Sequence, residues 1–328
     1  MRRFTGVATG LILVAGSLAY ASPAQAAVAT KVTIKTDHAP GYIGDEVTVS
    51  GKLTRSSGAA LKGQSVLLNV SGKRKIVTTN SDGLYIAEFL VPKSGAFTAE
   101  FLGAGSYDES AASTAYYALQ YRTFIDKFSA SPRPIEQNKP LNITGRTNRI
   151  AVGGNEKLAG AGLDLLYSGD GNNWSYVSST NSDGNGRFRF TPIVGQDGTW
   201  KVVLKPNAVA DGWLQTERNI WVDSRYKTSV AVSVTPKNVK YKGKVKVYGT
   251  LKHKVDGSWA SFGGVKVAVY HRAKGSKKWR FQGWVSVSGG GKFSKRFTAK
   301  RDGHWKAVYK GNGANFSDSS GSKYVNVR

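Results

Sequence analysis

A unit repeated three times constrains this chain more than any other feature. Val47-Thr48-Val49-Ser50-Gly51-Lys52-Leu53 returns as Leu141-Asn142-Ile143-Thr144-Gly145-Arg146 and again as Val245-Lys246-Val247-Tyr248-Gly249-Thr250-Leu251. In each copy apolar residues alternate up to a glycine. A second element, Ser94-Gly95-Ala96-Phe97, returns as Asp197-Gly198-Thr199-Trp200 and Asp302-Gly303-His304-Trp305, with its glycines 103 and 105 residues apart. Between the two elements lies a turn, read as Asn80-Ser81-Asp82-Gly83, Asn181-Ser182-Asp183-Gly184 and Ser288-Gly289-Gly290-Gly291. Each turn leads into an aromatic strand: Tyr85 and Phe89, Phe188 and Phe190, Phe293 and Phe297.

Alternation at period two, broken by Gly, Asn and Asp turns, predicts antiparallel strands with one buried and one wet face. No segment after the first 26 residues sustains helical spacing of apolar residues. Two sheets of about seven strands need roughly 100 residues, which is the observed period. The expected fold is therefore all-β: three tandem antiparallel β-sandwich domains at residues 27–122, 123–225 and 226–328. Phe97, Trp200 and Trp305 occupy equivalent slots and read as core anchors. The chain has no cysteine, so disulfide scaffolds, thiolate metal sites and cysteine nucleophiles are excluded.

Residues 1–26 read as a secretory signal peptide. Arg2 and Arg3 precede an apolar run from Gly6 to Ala19, and Ala24-Gln25-Ala26 has the small-residue spacing of a cleavage site. The run is shorter than the ~18 to 20 residues that span a bilayer, and no later segment qualifies as transmembrane. The expected product is soluble, secreted, and extracellular or associated with the cell wall.

The repeats resemble the immunoglobulin-like repeats of bacterial secreted and cell-surface proteins, in particular those of actinobacterial type. The resemblance is carried by the strand elements ending at Gly51, Gly145 and Gly249 and by the apolar-Gly elements Leu61-Lys62-Gly63 and Phe262-Gly263-Gly264. The closing segments Phe101-Leu102-Gly103-Ala104-Gly105-Ser106-Tyr107 and Tyr309-Lys310-Gly311-Asn312-Gly313-Ala314-Asn315-Phe316 match as well. It implies spacers, adhesion modules or polymer-binding modules, and it specifies fold rather than activity.

No nucleophile elbow, Walker loop, dinucleotide fingerprint or His-Glu-x-x-His motif occurs, so no catalytic residue and no cofactor or metal ligand is expected. The four histidines stand alone in sequence, and Asp256, Asp302 and Asp318 occur in turn-like contexts.

The charge is informative. Of 47 basic and 21 acidic residues, residues 27–122 hold 10 and 8, residues 123–225 hold 12 and 10, and residues 226–328 hold 23 and 3. The third repeat alone thus carries +20, whereas solubility asks for a net charge of only about 2 to 8 on a small domain. Its two near-neutral siblings show that the fold does not require lysine: Glu46, Pro140 and Lys244 are equivalent, as are Thr48, Asn142 and Lys246, and Thr54, Asn148 and Lys252.

Parity puts Lys244, Lys246, Lys252 and Lys254 on one outer face, with Lys240 and Lys242 leading into it. Lys266, Tyr270, Arg272 and Lys274 form a second outward row, followed by Lys277, Lys278 and Arg280. These cations are the predicted contacts to an anionic polymer: a cell-wall polymer such as teichoic acid, an acidic glycan or extracellular nucleic acid. Lysine, at 18 against 5 arginines, favours attraction to repeated charges over shaped recognition of one group. Trp259 and Trp284 are candidates for stacking on the ligand, whereas Trp279, equivalent to Trp174, reads as packing. The competing expectation is an adhesin or spacer that binds protein through a sheet edge or loop patch and takes no polyanion.

Overall fold

The computed structural model describes residues 26–328; the export-signal reading covers residues 1–26, and all of these but Ala26 lie outside the described residues. Every regular element among the described residues is a β-strand, and no helix is long and apolar enough to cross a membrane. The chain divides into two compact units, Asp45–Tyr117 with the segment up to Pro40, and Ala118–Arg328 with Gly41–Gly44.

In the first unit β1 (Thr30–Val32), β2 (Lys35–Thr36), β3 (Glu46–Arg55), β4 (Ser65–Val70), β5 (Lys73–Thr78), β6 (Leu84–Leu90), β7 (Phe97–Phe101) and β8 (Ser110–Ser113) make two antiparallel layers. β3 is flanked by β1 and β2 on one edge and by β6 on the other. The second layer runs β5-β4-β7-β8. Val47, Val49 and Leu53 of β3 are buried, as are Val66, Leu68 and Phe97 of the second layer. Each such side chain contributes roughly 1.5–3 kcal/mol on burial.

The second unit contains the same arrangement twice. In the first copy β9 (Thr123–Ser131) and β13 (Arg187–Phe190) flank β10 (Asn142–Ala151), and β12 (Ser175–Asn181), β11 (Gly162–Ser168), β14 (Gly198–Leu204) and β15 (Thr216–Val222) form the facing layer. In the second copy β16 (Thr228–Thr235) and β21 (Lys292–Thr298) flank β17 (Lys244–Val255), whose far end also pairs β18 (Ser258–Ser261). The facing layer contains β20 (Arg280–Ser286), β19 (Lys266–Ala273), β22 (Gly303–Tyr309) and β23 (Lys323–Val327). Two layers of this kind, with antiparallel central ladders, make an immunoglobulin-like sandwich. Phe97, Trp200 and Trp305 are all buried. Tyr121 bonds to the backbone of Gly212 and Leu214, and Arg122 to that of Ile150, which ties both to the second unit.

The glycine that marks each repeat has a steric cause. Gly51, Gly145 and Gly249 stand opposite Tyr85, Phe188 and Phe293 in the ladder, and the aromatic ring lies across the bare backbone. A Cβ on Gly249 would come 2.7 Å from Phe293 Cζ, and one on Gly145 2.5 Å from Phe188 Cζ. In the first repeat the Tyr85 hydroxyl donates to Thr33 O, at the break between β1 and β2.

The turn before each aromatic strand corrects one sequence equivalence. In the first repeat Asn80 Oδ1 accepts from the N–H groups of Asp82 and Leu84, and Gly83 has φ 71°. The second repeat makes the same turn from Asp183, which accepts from Asn185 and Arg187, with Gly186 at φ 72°. The matching turn is therefore Asp183 to Gly186, two residues beyond the look-alike Asn181-Ser182-Asp183-Gly184. Ser288 and Gly291 complete the set, Ser288 Oγ accepting from Lys292 N–H. The turn needs an acceptor side chain three residues before a left-handed glycine, and Asn, Asp or Ser each supplies one.

Candidate polyanion-binding surface

The outward positions of β17 are Lys244, Lys246, Tyr248, Thr250, Lys252 and Lys254, between the buried Val245, Val247 and Leu251. On one side β16 offers Ser229, Ala231, Ser233 and Thr235 to this face; on the other, β21 sets Lys292 beside Thr250, Ser294 beside Tyr248 and Arg296 beside Lys246. Farther along, β18 sets Trp259 beside Lys254 and Ser261 beside Lys252. Six cations and an exposed tryptophan thus share one outer face, whose three central strands carry no acidic side chain. Lys246 Nζ lies 5.6 Å from the ring centroid of Tyr248, and Lys244 Nζ donates to Thr298 Oγ1 at 2.8 Å.

The remaining predicted cations do not join that face. Lys240 and Lys242 occupy the turn that enters β17, where Lys242 has φ 64° and its ammonium rests over Tyr241. Lys266 and Arg272 project from β19, on the outer side of the opposite layer. Lys274, Lys277 and Lys278 are exposed around the hairpin between β19 and β20. Arg280 leaves the row because its register partner is His271, whose ring packs on the core residue Trp305 at 4.8 Å.

The outer side of the four-strand layer is aromatic. Phe281 makes edge contacts with both Tyr270 and Trp284, each with centroids 5.7 Å apart, and Phe281 and Trp284 are exposed. Trp279 lies outside the core: Arg272 stands 4.9 Å and Lys306 4.7 Å from its ring centroid. Its ring contacts are with these two cations. Trp174 repeats the arrangement with Lys201 at 4.0 Å. Trp284 faces Lys310 at 5.3 Å, so the two stacking candidates, Trp259 and Trp284, belong to opposite faces of the sandwich.

Lys292, Arg296 and Tyr248 escaped the sequence selection. Their signal was present: Phe293 and Phe297 face inward, so Lys292 and Arg296 must face out, and Tyr248 shares the parity of Lys246. Lys295 points the other way and reaches Trp284 O at 3.3 Å.

The acidic residues of the third repeat serve the backbone. Asp302 accepts from Val327 N–H at 2.6 Å and from the Tyr324 hydroxyl, Asp318 accepts from Val230 N–H at 2.7 Å, and Asp256 sits in the left-handed turn between β17 and β18. Among the described residues, no Lys or Arg of 226–328 forms an ion pair. The second repeat pairs Lys205 with Asp164 at 2.8 Å, Lys201 with Glu217 at 3.4 Å and Arg149 with Glu156 at 2.8 Å. Among the described residues no group of three or more His, Asp and Glu side chains is placed to hold a metal ion.

No family model matches the chain, and no curated protein matches it. Solved structures similar to it include a tetra-tandem repeat from the extending region of a large adhesion protein, at 15% identity over 91% of this chain and 74% of that one, with a TM-score of 0.30. FdeC, an adhesin of Escherichia coli, is 17% identical over 94% and 99% of the two chains, with a TM-score of 0.33. A tandem fragment of titin is 10% identical over 92% and 100%, with a TM-score of 0.44.

Proposed function

We propose that this is an exported, noncatalytic immunoglobulin-like repeat protein whose third repeat holds an anionic polymer of the cell envelope or its surroundings. The observation that carries the reading is the outer face of β17 and β21, with Lys244, Lys246, Lys252, Lys254, Lys292 and Arg296 and no compensating carboxylate. Crowding like charges on one face opposes folding, and a polyanion reverses that cost by replacing its own counterions with these ammonium groups. Lysine makes each contact a mobile point charge, suited to a chain of phosphates or carboxylates. Trp259 adds a flat surface beside Lys254.

The test compares the full chain with a variant in which all six cations become glutamine, on immobilised polyphosphate. About six phosphate contacts correspond to a log–log salt slope near −4 to −5. The variant should elute at markedly lower salt and with a shallower slope. Equal retention of the two proteins would overturn the reading.

A second reading, docking of a protein, is favoured by the first repeat. There β6 sets Leu84, Ile86 and Leu90 outward and exposed, Ile86 at 67%, where β13 and β21 carry Arg187, Arg189 and Lys292. A long exposed apolar edge strand is one that folded proteins usually blunt. On this reading the six-glutamine variant binds its partner as well as the unmodified chain.

A further inference from the structure

A recess recurs over the glycine–aromatic pair of each repeat, and its lining differs in kind among the three. In the first it sets Leu84 and Ile86 beside Lys35 and Lys52; in the third it holds Lys246, Tyr248 and Lys292. In the second, a volume of about 700 Å³ is lined by Lys127, Arg146, Arg187, Arg189 and Asp183. The near-neutral balance of residues 123–225 conceals this concentration of cations.

Register explains how four cations meet there. Arg146 and Arg187 are direct partners across β10 and β13, and Arg189 stands two residues along beside Thr144. Lys127 enters from β9, where a register shift accompanies its φ of 49°. Like charges directly opposite on a sheet face are destabilising. Two carboxylates lie close by and neither accepts a hydrogen bond from Arg146 Nε: Asp126 is its partner on β9, yet Arg146 Nε is buried with no acceptor, and Asp126 Oδ1 is buried with no donor. Asp183 spends Oδ1 on two backbone N–H groups of its turn. Four cations against two carboxylates leave two positive charges unmatched.

We infer that this recess of the second repeat binds a doubly charged tetrahedral oxyanion, the chemistry shared by inorganic phosphate and a phosphate monoester. Guanidinium groups present paired, planar donors to such an oxyanion, and the idle Nε of Arg146 supplies a donor already removed from water. This is a discrete anion site, separate in repeat, side chain and geometry from the lysine face of residues 226–328.

The test follows arginine Nε–Hε resonances in the full chain during titration with inorganic phosphate at pH 8, with sodium chloride at matched ionic strength as reference. The inference expects saturable shifts at Arg146, Arg187 and Arg189 that chloride does not reproduce. Loss of saturation at Arg187 is expected in Arg189→Ser, a change tolerated in the third repeat, where Ser294 holds that position. Glycerol phosphate added in place of phosphate distinguishes the sources: saturation at equal or lower concentration assigns an ester, and saturation by phosphate alone assigns the free ion. Shifts that stay linear, that chloride reproduces, or that arise equally with acetate would overturn the site. None of these outcomes bears on retention by the third repeat, since Arg189→Ser leaves Lys244 to Lys254 and Arg296 in place.

Discussion

Lys246 and Arg296 stand directly opposite each other on the outer face of β17 and β21, with no carboxylate between them. An opposed like-charge pair costs roughly 0.2–1 kcal/mol, and screening at 1 M salt, with a Debye length of about 3 Å, removes most of that. The transition of the third repeat should therefore rise by about 1–8 °C between low and high salt, on the usual scaling of ~4–8 °C per kcal/mol for a domain of this size. Arg296→Gln should give part of that rise at low salt. Calorimetry in sodium chloride from 20 mM upward checks it, and a transition indifferent to salt would show that the face is not strained by its charge.

Gly249→Ala should destabilise the third repeat strongly although it adds only one methyl group. The new Cβ would meet Phe293 Cζ at 2.7 Å and the Ala231 carbonyl closer still, and both belong to packed strands that cannot both yield. Overpacking of this kind costs about 1–3 kcal/mol. Urea unfolding measures the loss, and Phe293→Leu in the same chain should relieve part of it, since the shorter side chain vacates the space above residue 249.

These glycines also show what could be read in the sequence. Alternation around Val47, Val245 and their equivalents dictates strands, and the triple recurrence dictates three sandwiches, because both are local patterns with a single physical solution. The buried Phe97, Trp200 and Trp305 follow from the same pattern. Cross-strand partners do not: Lys292 and Arg296 lie about fifty residues from the lysines they join, and only register unites them. Net charge misled for the second repeat, where acidic residues spent on turns and ion pairs left Arg146, Arg187 and Arg189 in one recess. The turn at Asp183 lies two residues beyond its look-alike because the acceptor-to-glycine spacing, not identity of letters, specifies it.

Asp183→Asn should preserve the turn and remove an acid sensitivity. The N–H groups of Arg187 and Asn185 hold the Asp183 carboxyl below its usual value of 3.8, and the positive charges of Arg187 and Arg146 add to this. A carboxyl lowered in the folded state contributes stability above the unfolded value, and that contribution disappears as pH falls through the folded one. Asparagine keeps the acceptor oxygen, as Asn80 does in the first repeat, without the titration. Denaturation midpoints at pH 7 should be close for the two proteins, and the unmodified chain should lose more than the variant between pH 5 and pH 2. Equal losses would mean that Asp183 is not held by its turn.

His271 gives the third repeat a sensitivity of its own at milder pH. Its ring packs on Trp305, its Nε2 is buried with no partner, and burial lowers its pKa from 6.5, opposed by a backbone hydrogen bond at Arg301 and reinforced by the charge of His304. The unfolded chain then takes up a proton before the folded one does. Stability is full above about 6.5 and is lost as pH falls from there through the folded value, the direction set by proton linkage. His271→Phe keeps a ring against Trp305 and cannot be protonated. Between pH 7.5 and 5 the thermal midpoint of the third repeat should fall in the unmodified chain and hold nearly level in the variant. Parallel curves would assign the acid loss to other groups and leave His271 as packing alone.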